Sequence, residues 1–210
     1  MVVPPLELDF GAMCGQGYPV SDKQSLRKVL RAERKRYVAA LPEVTRALLL
    51  RTPPGPLAEL VPEGATIGLY RATPMEAPAA SYARHYIERG HRIALPRFAA
   101  RKADMEFAEH TDPFGETDLE DGPFGLMQPI PEAEMLVPNV LFVPLLGFTV
   151  DGHRLGQGGG HYDRWLAAHP DATTIGLAWD CQLADELPRE GHDIPLAAVV
   201  TPTRLYGPFV

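Results

Sequence analysis

The stretch Gly156-Gln157-Gly158-Gly159-Gly160-His161-Tyr162-Asp163-Arg164 places four glycines within five positions, directly ahead of a segment with helical character. Successive glycines let neighbouring backbone N–H groups converge on one concavity, which suits an anion. A helix that starts there adds free N–H groups and the positive end of its dipole. The chemistry implied is phosphate binding. No Gly-Lys-Ser/Thr closes the stretch, so it is not a P-loop, and its spacing is not that of the dinucleotide fingerprint. The plainer alternative is a tight turn that needs positive φ. Asp163 either complements the helix dipole or holds Mg²⁺ beside phosphates, as hard oxygen ligands do. A second carboxylate, Asp193 in Gly191-His192-Asp193-Ile194-Pro195, precedes the last expected strand and can reach the same edge.

A first helix carries Lys23, Arg27, Lys28, Arg31, Arg34, Lys35 and Arg36 against Asp22 and Glu33. Such a face serves nucleic acid or a membrane surface, or is simply solvated. It can also grip a polyphosphate: Lys23 and Arg27 stand four apart on one helical face, a point charge beside a planar fork. Glu76 follows an expected strand near the start of an expected helix. It either satisfies that helix or is a ligand group at a sheet edge. Phe124 and Met127 lie in a long irregular stretch, where they wall an aromatic ligand or anchor the loop. Cys14, Cys181 and the seven histidines form neither a triad nor a metal-ligand spacing.

The elements that must position these groups read as α/β. Ser21 to Gln24 fits a capping box, followed by Leu26, Val29, Leu30 and Tyr37 at helical spacing, and residues 43–51 continue as a second helical piece. Residues 65–70 and 91–95 read as strands, the second ended by Pro96. Between them a helix over 76–89 is closed by Gly90, a right-handed βαβ unit. Residues 105–108 form a short strand and 109–138 an irregular stretch of the kind that binds ligands. Residues 140–146 are the most apolar run, 161–169 a helix, 173–179 a strand, 182–187 a helical turn and 197–200 a last strand. The expectation is one three-layer α/β/α domain over 21–210, with a mostly parallel sheet and helices on both faces, behind a flexible leader at 1–20.

Composition excludes several classes. The 210 residues are 45% hydrophobic and 22% charged, as in a globular chain. A net charge of -7 disfavours nucleic acid and anionic membrane as partners. No apolar run approaches the roughly 20 residues that span a bilayer, and no secretory signal opens the chain. The expectation is a cytoplasmic protein, a monomer or weak dimer.

These features together resemble the 5-formyltetrahydrofolate cyclo-ligase family, also called 5,10-methenyltetrahydrofolate synthetase, from about Lys23 to Thr203. The most specific segments are Pro144-Leu145-Leu146-Gly147-Phe148 and Asp151 through Arg164. Supporting them in order are Lys23-x-x-x-Arg27, Glu76 ahead of Gly90, Leu95-Pro96-Arg97, Gln128-Pro129 and His192-Asp193-Ile194-Pro195. The resemblance implies an enzyme that uses MgATP to close 5-formyltetrahydrofolate to 5,10-methenyltetrahydrofolate, releasing ADP and phosphate. It implies that Lys23 and Arg27 contact ATP phosphates. Arg154, Leu155, Gly156, Gln157, Gly158, Gly159, Gly160, His161 and Tyr162 would form the nucleotide loop and adjoin the folate, with Lys23 and Arg154 as catalytic groups. Asp163 and Asp193 would hold Mg²⁺, and Glu76, Arg71, Phe124 and Tyr162 would bind the folate. Three positions depart from the family pattern: Ala197 where an acid is frequent, Ala77-Pro78 after Glu76, and Arg71 at a spot often apolar or small. They bear on folate binding more than on ATP. Two other readings are a paralogue with the same ATP loop and another substrate, and a non-enzymic nucleotide- or RNA-binding module.

Overall fold

The apolar run at 140–146 supplies the middle strand of a seven-stranded sheet in the computed structural model, which describes residues 22–190 and 193–209. The chain runs α1 (Lys23–Ala40), α2 (Glu43–Leu48), a 3-10 turn (Gly55–Leu60), β1 (Thr66–Gly68), α3 (Ala80–Ile87), β2 (Arg92–Arg97), β3 (Glu106–Glu109), β4 (Leu119–Asp121) and β5 (Met127–Pro129). It continues through β6 (Val140–Pro144), β7 (Gly147–Phe148), β8 (Arg154–Leu155), α4 (His161–Ala168), β9 (Thr173–Leu177), a second 3-10 turn (Asp180–Gln182), β10 (Ala198–Val200) and β11 (Leu205–Tyr206).

The strand order is β11-β10-β9-β6-β1-β2-β3. The five inner strands are mutually parallel, and β3 and β11 close the two edges antiparallel. Parallel strands need both faces covered, and alternation along β6 does this. Val140 and Phe142 enter one core with Val38 of α1 and Tyr82 and Tyr86 of α3. Leu141 and Val143 enter the other with Trp165 and Leu166 of α4. The result is the expected three-layer, mostly parallel arrangement. From β1 the chain moves one way, through α3 to β2, whereas β6, β9 and β10 build out the other way. The order therefore reverses between β1 and β6, and at such a point a crevice opens beyond the carboxyl ends of the strands.

Several expected boundaries move for local reasons. The cap of α1 is Asp22, whose carboxylate accepts from the N–H groups of Gln24 at 3.1 Å and Ser25 at 2.9 Å; Ser21 and the leader at 1–20 lie outside the described residues. The buried stripe of α1 is Leu26, Leu30, Arg34 and Val38, while Val29 is exposed. The second helix stops at Leu48 and buries none of its residues; Val44 and Leu48 face solvent. Glu76 sits in a turn, not in a helix: Pro78 disfavours helical geometry at Ala77, and α3 starts only at Ala80. Gly90, with φ +81°, does follow α3. Pro96 does not end β2, which runs on to Arg97 because β3 pairs with it, Pro96 opposite Phe107. The stretch 109–138 is not wholly irregular but contains the β4–β5 hairpin. The expected turn at 182–187 lies instead at Asp180–Gln182. The small β7–β8 hairpin and edge strand β11 were not expected. Among the described residues no helix is long and apolar enough to cross a membrane.

Phe142 has no exposed surface and packs edge-on to Tyr82, with ring centroids 5.5 Å apart. Phe142→Ala is expected to lower unfolding free energy by about 3–5 kcal/mol. Val44→Ser, on the exposed face of α2, is expected to change it by no more than about 0.5 kcal/mol. Urea titration of both variants checks the pair of values.

Candidate functional site

Two cavities open at the carboxyl edge where β1 and β6 part. The first, about 320 Å³, has apolar walls from Pro96, Phe98, Met105, Phe124, Leu126 and Met127, into which Tyr70, Arg71, Glu76, Gln128 and Tyr162 bring polar groups. The second, about 390 Å³, is lined by Lys23, Arg27, Glu190, Asp193 and their neighbours. Arg154, Gly156, Gly158, Gly160 and Asp163 border both. The glycine loop is thus the wall between an apolar chamber and a charged one.

The loop is held by its carbonyl groups. Arg27 Nε donates to Gly156 O at 3.1 Å and Arg31 Nη2 to Gln157 O at 2.8 Å, both from α1. Arg164 Nη1 of α4 donates to Gly159 O at 3.2 Å. Among the described residues no hydrogen bond engages the N–H groups of Gly158, Gly159 or Gly160. Gly158 at φ +100° and Gly160 at φ +66° adopt left-handed backbone that side chains resist, and Gly160 caps α4 in that conformation. Carbonyls tied back and N–H groups without a partner among the described residues, at a helix start, suit an anion.

In the charged chamber Lys23 Nζ lies 3.1 Å from Glu190 Oε1 and 3.3 Å from Asp193 Oδ2. Asp193 also accepts from the Glu190 N–H at 2.7 Å. Arg154, whose side chain is nearly buried, pairs with Asp163 and donates to Ile194 O at 3.3 Å. Asp163 and Asp193 therefore border one chamber, each tied to a cation. Among the described residues no group of three or more metal-ligating side chains forms. Two carboxylates beside an anion cradle nonetheless fit Mg²⁺, which takes one or two carboxylates and fills its shell with phosphate oxygens and water.

In the apolar chamber Glu76 is 9% exposed at its side chain. It accepts from the Thr73 N–H at 2.8 Å and from Gln157 Nε2 at 3.2 Å, so it is joined to the glycine loop. Burial, with the Glu76 carboxylate adding to it, pushes the phenols of Tyr70 and Tyr162 well above their ordinary value, so both stay neutral. The β4–β5 hairpin lies over this chamber. Phe124 at its tip meets Phe98 at 4.8 Å and His161 at 5.6 Å between centroids. Gln128 pins the hairpin to the residue after β2, donating to Phe98 O at 3.2 Å and accepting from the Phe98 N–H at 3.1 Å, and Arg97 Nε of β2 donates to Pro129 O at 3.3 Å. Burial, then the Arg164 charge, lowers His161 below its ordinary value. Arg71 reaches the far wall and pairs with Glu116.

Every expected site residue except Leu155 and Arg27 borders the first chamber or, for Lys23 and Asp193, the second; Leu155 and Arg27 border the second. Contributors that sequence reasoning did not name as site residues include Tyr70, Phe98, Met105, Leu126, Glu190 and the buried Arg34. Arg34 continues the four-residue spacing of Leu26 and Leu30, and that spacing was the available signal.

A family model described as the 5-formyltetrahydrofolate cyclo-ligase family matches residues 19–202. Over 70 residues the chain is 50% identical to 5-formyltetrahydrofolate cyclo-ligase of Escherichia coli K12, a match spanning 32% of this chain and only 38% of that protein. The enzyme of that name from Mycolicibacterium smegmatis is 30% identical over 187 residues, 87% of this chain and 94% of the relative. Among solved structures, 5,10-methenyltetrahydrofolate synthetase of Aquifex aeolicus superposes with a TM-score of 0.69 at 25% identity, covering 89% of this chain and 92% of that one. The match thus takes in α1, the crevice between β1 and β6 and the glycine loop, and the chain belongs to the 5-formyltetrahydrofolate cyclo-ligase family.

Proposed function

We propose that this chain closes 5-formyltetrahydrofolate to 5,10-methenyltetrahydrofolate with consumption of ATP, releasing ADP and phosphate. The observation that carries this reading, beside family membership, is the glycine loop shared by the apolar and the charged chamber. A reaction that joins a flat heterocycle to a polyphosphate needs those two environments in contact. Two-substrate phosphoryl transfer is mainly a problem of positioning and of charge neutralisation.

The formamide oxygen is a poor leaving group. In the proposed path it attacks the γ-phosphorus while the bond to the ADP oxygen breaks, giving an imidoyl phosphate. N10 of the folate then attacks the activated carbon and gives up its proton. The C–O bond breaks, and phosphate carries away the oxygen. Lys23 and Arg27 neutralise the phosphates, Lys23 exchanging its carboxylate partners for phosphate oxygens. The N–H groups of Gly158 to Gly160 cradle the same anion. Arg154 stands at the seam of the two chambers, where charge develops on the transferring group, and donors fixed at that place lower the barrier. Glu76 and Tyr162 bind the pterin, Phe124 covers it with Phe98 and His161, and Arg71 reaches it from the far wall. Asp163 and Asp193 would hold Mg²⁺. The ion, when bound, neutralises phosphate charge.

The deciding experiment mixes purified protein with 5-formyltetrahydrofolate and ATP and follows near-ultraviolet absorbance of the methenyl product. The expected rise requires both ATP and Mg²⁺; EDTA abolishes it and added Mg²⁺ restores it. ATP binding without product would turn the reading toward a paralogue with another N-formyl substrate.

Lys23→Ala is expected to cut kcat/KM for ATP about 10²-fold, the scale for one lost charge-stabilising donor. Its melting temperature should move by no more than about 4 °C, because partly exposed ion pairs contribute about 0–1 kcal/mol. Full turnover in this variant would remove Lys23 from the site.

A further inference from the structure

Arg34 occupies the buried stripe of α1 between Leu30 and Val38 and is 6% exposed. A Met there would complete the stripe. Burying a guanidinium instead gains nothing for stability, because a buried ion pair is on balance no better than well-packed apolar groups of similar volume. Hydrogen bonding does not account for it either. Its Nη1 donates to Leu145 O at 3.3 Å, an oxygen that Gln182 Nε2 already supplies at 2.6 Å. Its Nε is buried with no hydrogen-bond partner among the described residues.

The carboxylate facing it is Glu76, with Nη1 3.9 Å from Oε1. Burial pulls the Arg34 guanidinium down from its ordinary value, and the Glu76 charge acts against that. Tyr70, Arg31 and Cys181 also surround Arg34. Around Glu76 stand Tyr70 after β1, Tyr162 from α4 and the neutral Gln157 amide. Arg31 is committed to both oxygens of Gln157, at 3.1 Å and 2.8 Å. Arg34 is thus the cation that answers Glu76.

We infer that Arg34 is a positioning residue that holds the Glu76 carboxylate in place at the wall of the apolar chamber, and so sets folate affinity without touching the folate. This rests on the reading of Glu76 as the pterin-binding group. A carboxylate held at the chamber wall accepts from the adjacent N–H donors of a pterin; a displaced one does not.

Calorimetric Kd values for 5-formyltetrahydrofolate and for ATP test this in the full chain, with Arg34→Met, Arg34→Lys, Glu76→Gln and the Arg34→Met/Glu76→Gln double variant. Arg34→Met is expected to weaken folate binding about tenfold and ATP binding less than about twofold. In the Glu76→Gln background the same change should cost less than about twofold, the sign of coupled residues. Arg34→Lys should keep folate binding within about threefold. Losses that multiply independently, or an equal loss for ATP, would overturn the inference. Should Arg34→Met not fold because Glu76 is left uncompensated, the double variant, which removes both charges, and Arg34→Lys still decide it. Wild-type protein that binds ATP but no folate overturns the substrate assignment as well. Wild-type folate binding with uncoupled losses overturns the role of Arg34 alone.

Discussion

The grip of α1 on the carbonyl oxygens of the glycine loop is the contact on which the site depends. A glycine-rich segment has many conformations of similar energy, so its N–H groups are useful for an anion only if something chooses among them. Arg27 and Arg31 do this from one side, through Gly156 O and Gln157 O, and Arg164 from the other, through Gly159 O. A Cβ on Gly158 would come within 3.3 Å of the Arg27 guanidinium. The glycine therefore serves backbone geometry and close approach together. Arg27 has a double function: Nε fixes the loop, while the guanidinium as a whole adds positive charge to the chamber that the loop borders.

The separation of the two chambers follows from where the sheet order reverses. The crevice between β1 and β6 receives the turn with Tyr70 and Glu76 on one side and the β7–β8 hairpin with Arg154 on the other. Residues after β2 and the β4–β5 hairpin then supply rings and aliphatic groups to one compartment. The start of α1 and the segment around Asp193 supply charges to the next. The glycine loop borders an apolar compartment on one side and a polar one on the other. A charge at that boundary acts more strongly on the apolar side than in water, and Arg154 is placed there.

Much of this was legible along the chain, and the limits have physical causes. The apolar run of β6, the βαβ unit and the glycine loop are local patterns, and they appear where the sequence puts them. Element ends were less legible: a distant partner, β3, carries β2 past Pro96, and a local one, Pro78, holds Glu76 out of α3. The β4–β5 hairpin was hidden because its strands are three residues each, too short to show a period, and it is anchored beside β2 by two side chains, Gln128 on Phe98 and Arg97 on Pro129 O. Lys23 with Asp193 lies 170 positions apart, a pairing no spacing rule encodes. The family resemblance nominated both residues separately. It did not indicate that each carboxylate expected at the metal would be held by a cation.

Those two ion pairs and the Arg34–Glu76 pair share a design. The three carboxylates expected at the site, Asp163, Asp193 and Glu76, each face a basic residue nine or more positions away, and two of the three basic residues come from α1. The partly exposed pair Lys23–Asp193 exchanges partners more readily than an enclosed one, so in the proposed function a polyphosphate and its metal would replace it. The Arg34–Glu76 pair is enclosed, and breaking it would leave a buried charge alone. One helix thus presents an exchangeable charge at its first turn and a fixed charge three turns later. In the proposed function, that difference in burial, more than any difference in residue type, would divide its basic face between anchoring a transient polyphosphate and maintaining a permanent recognition surface.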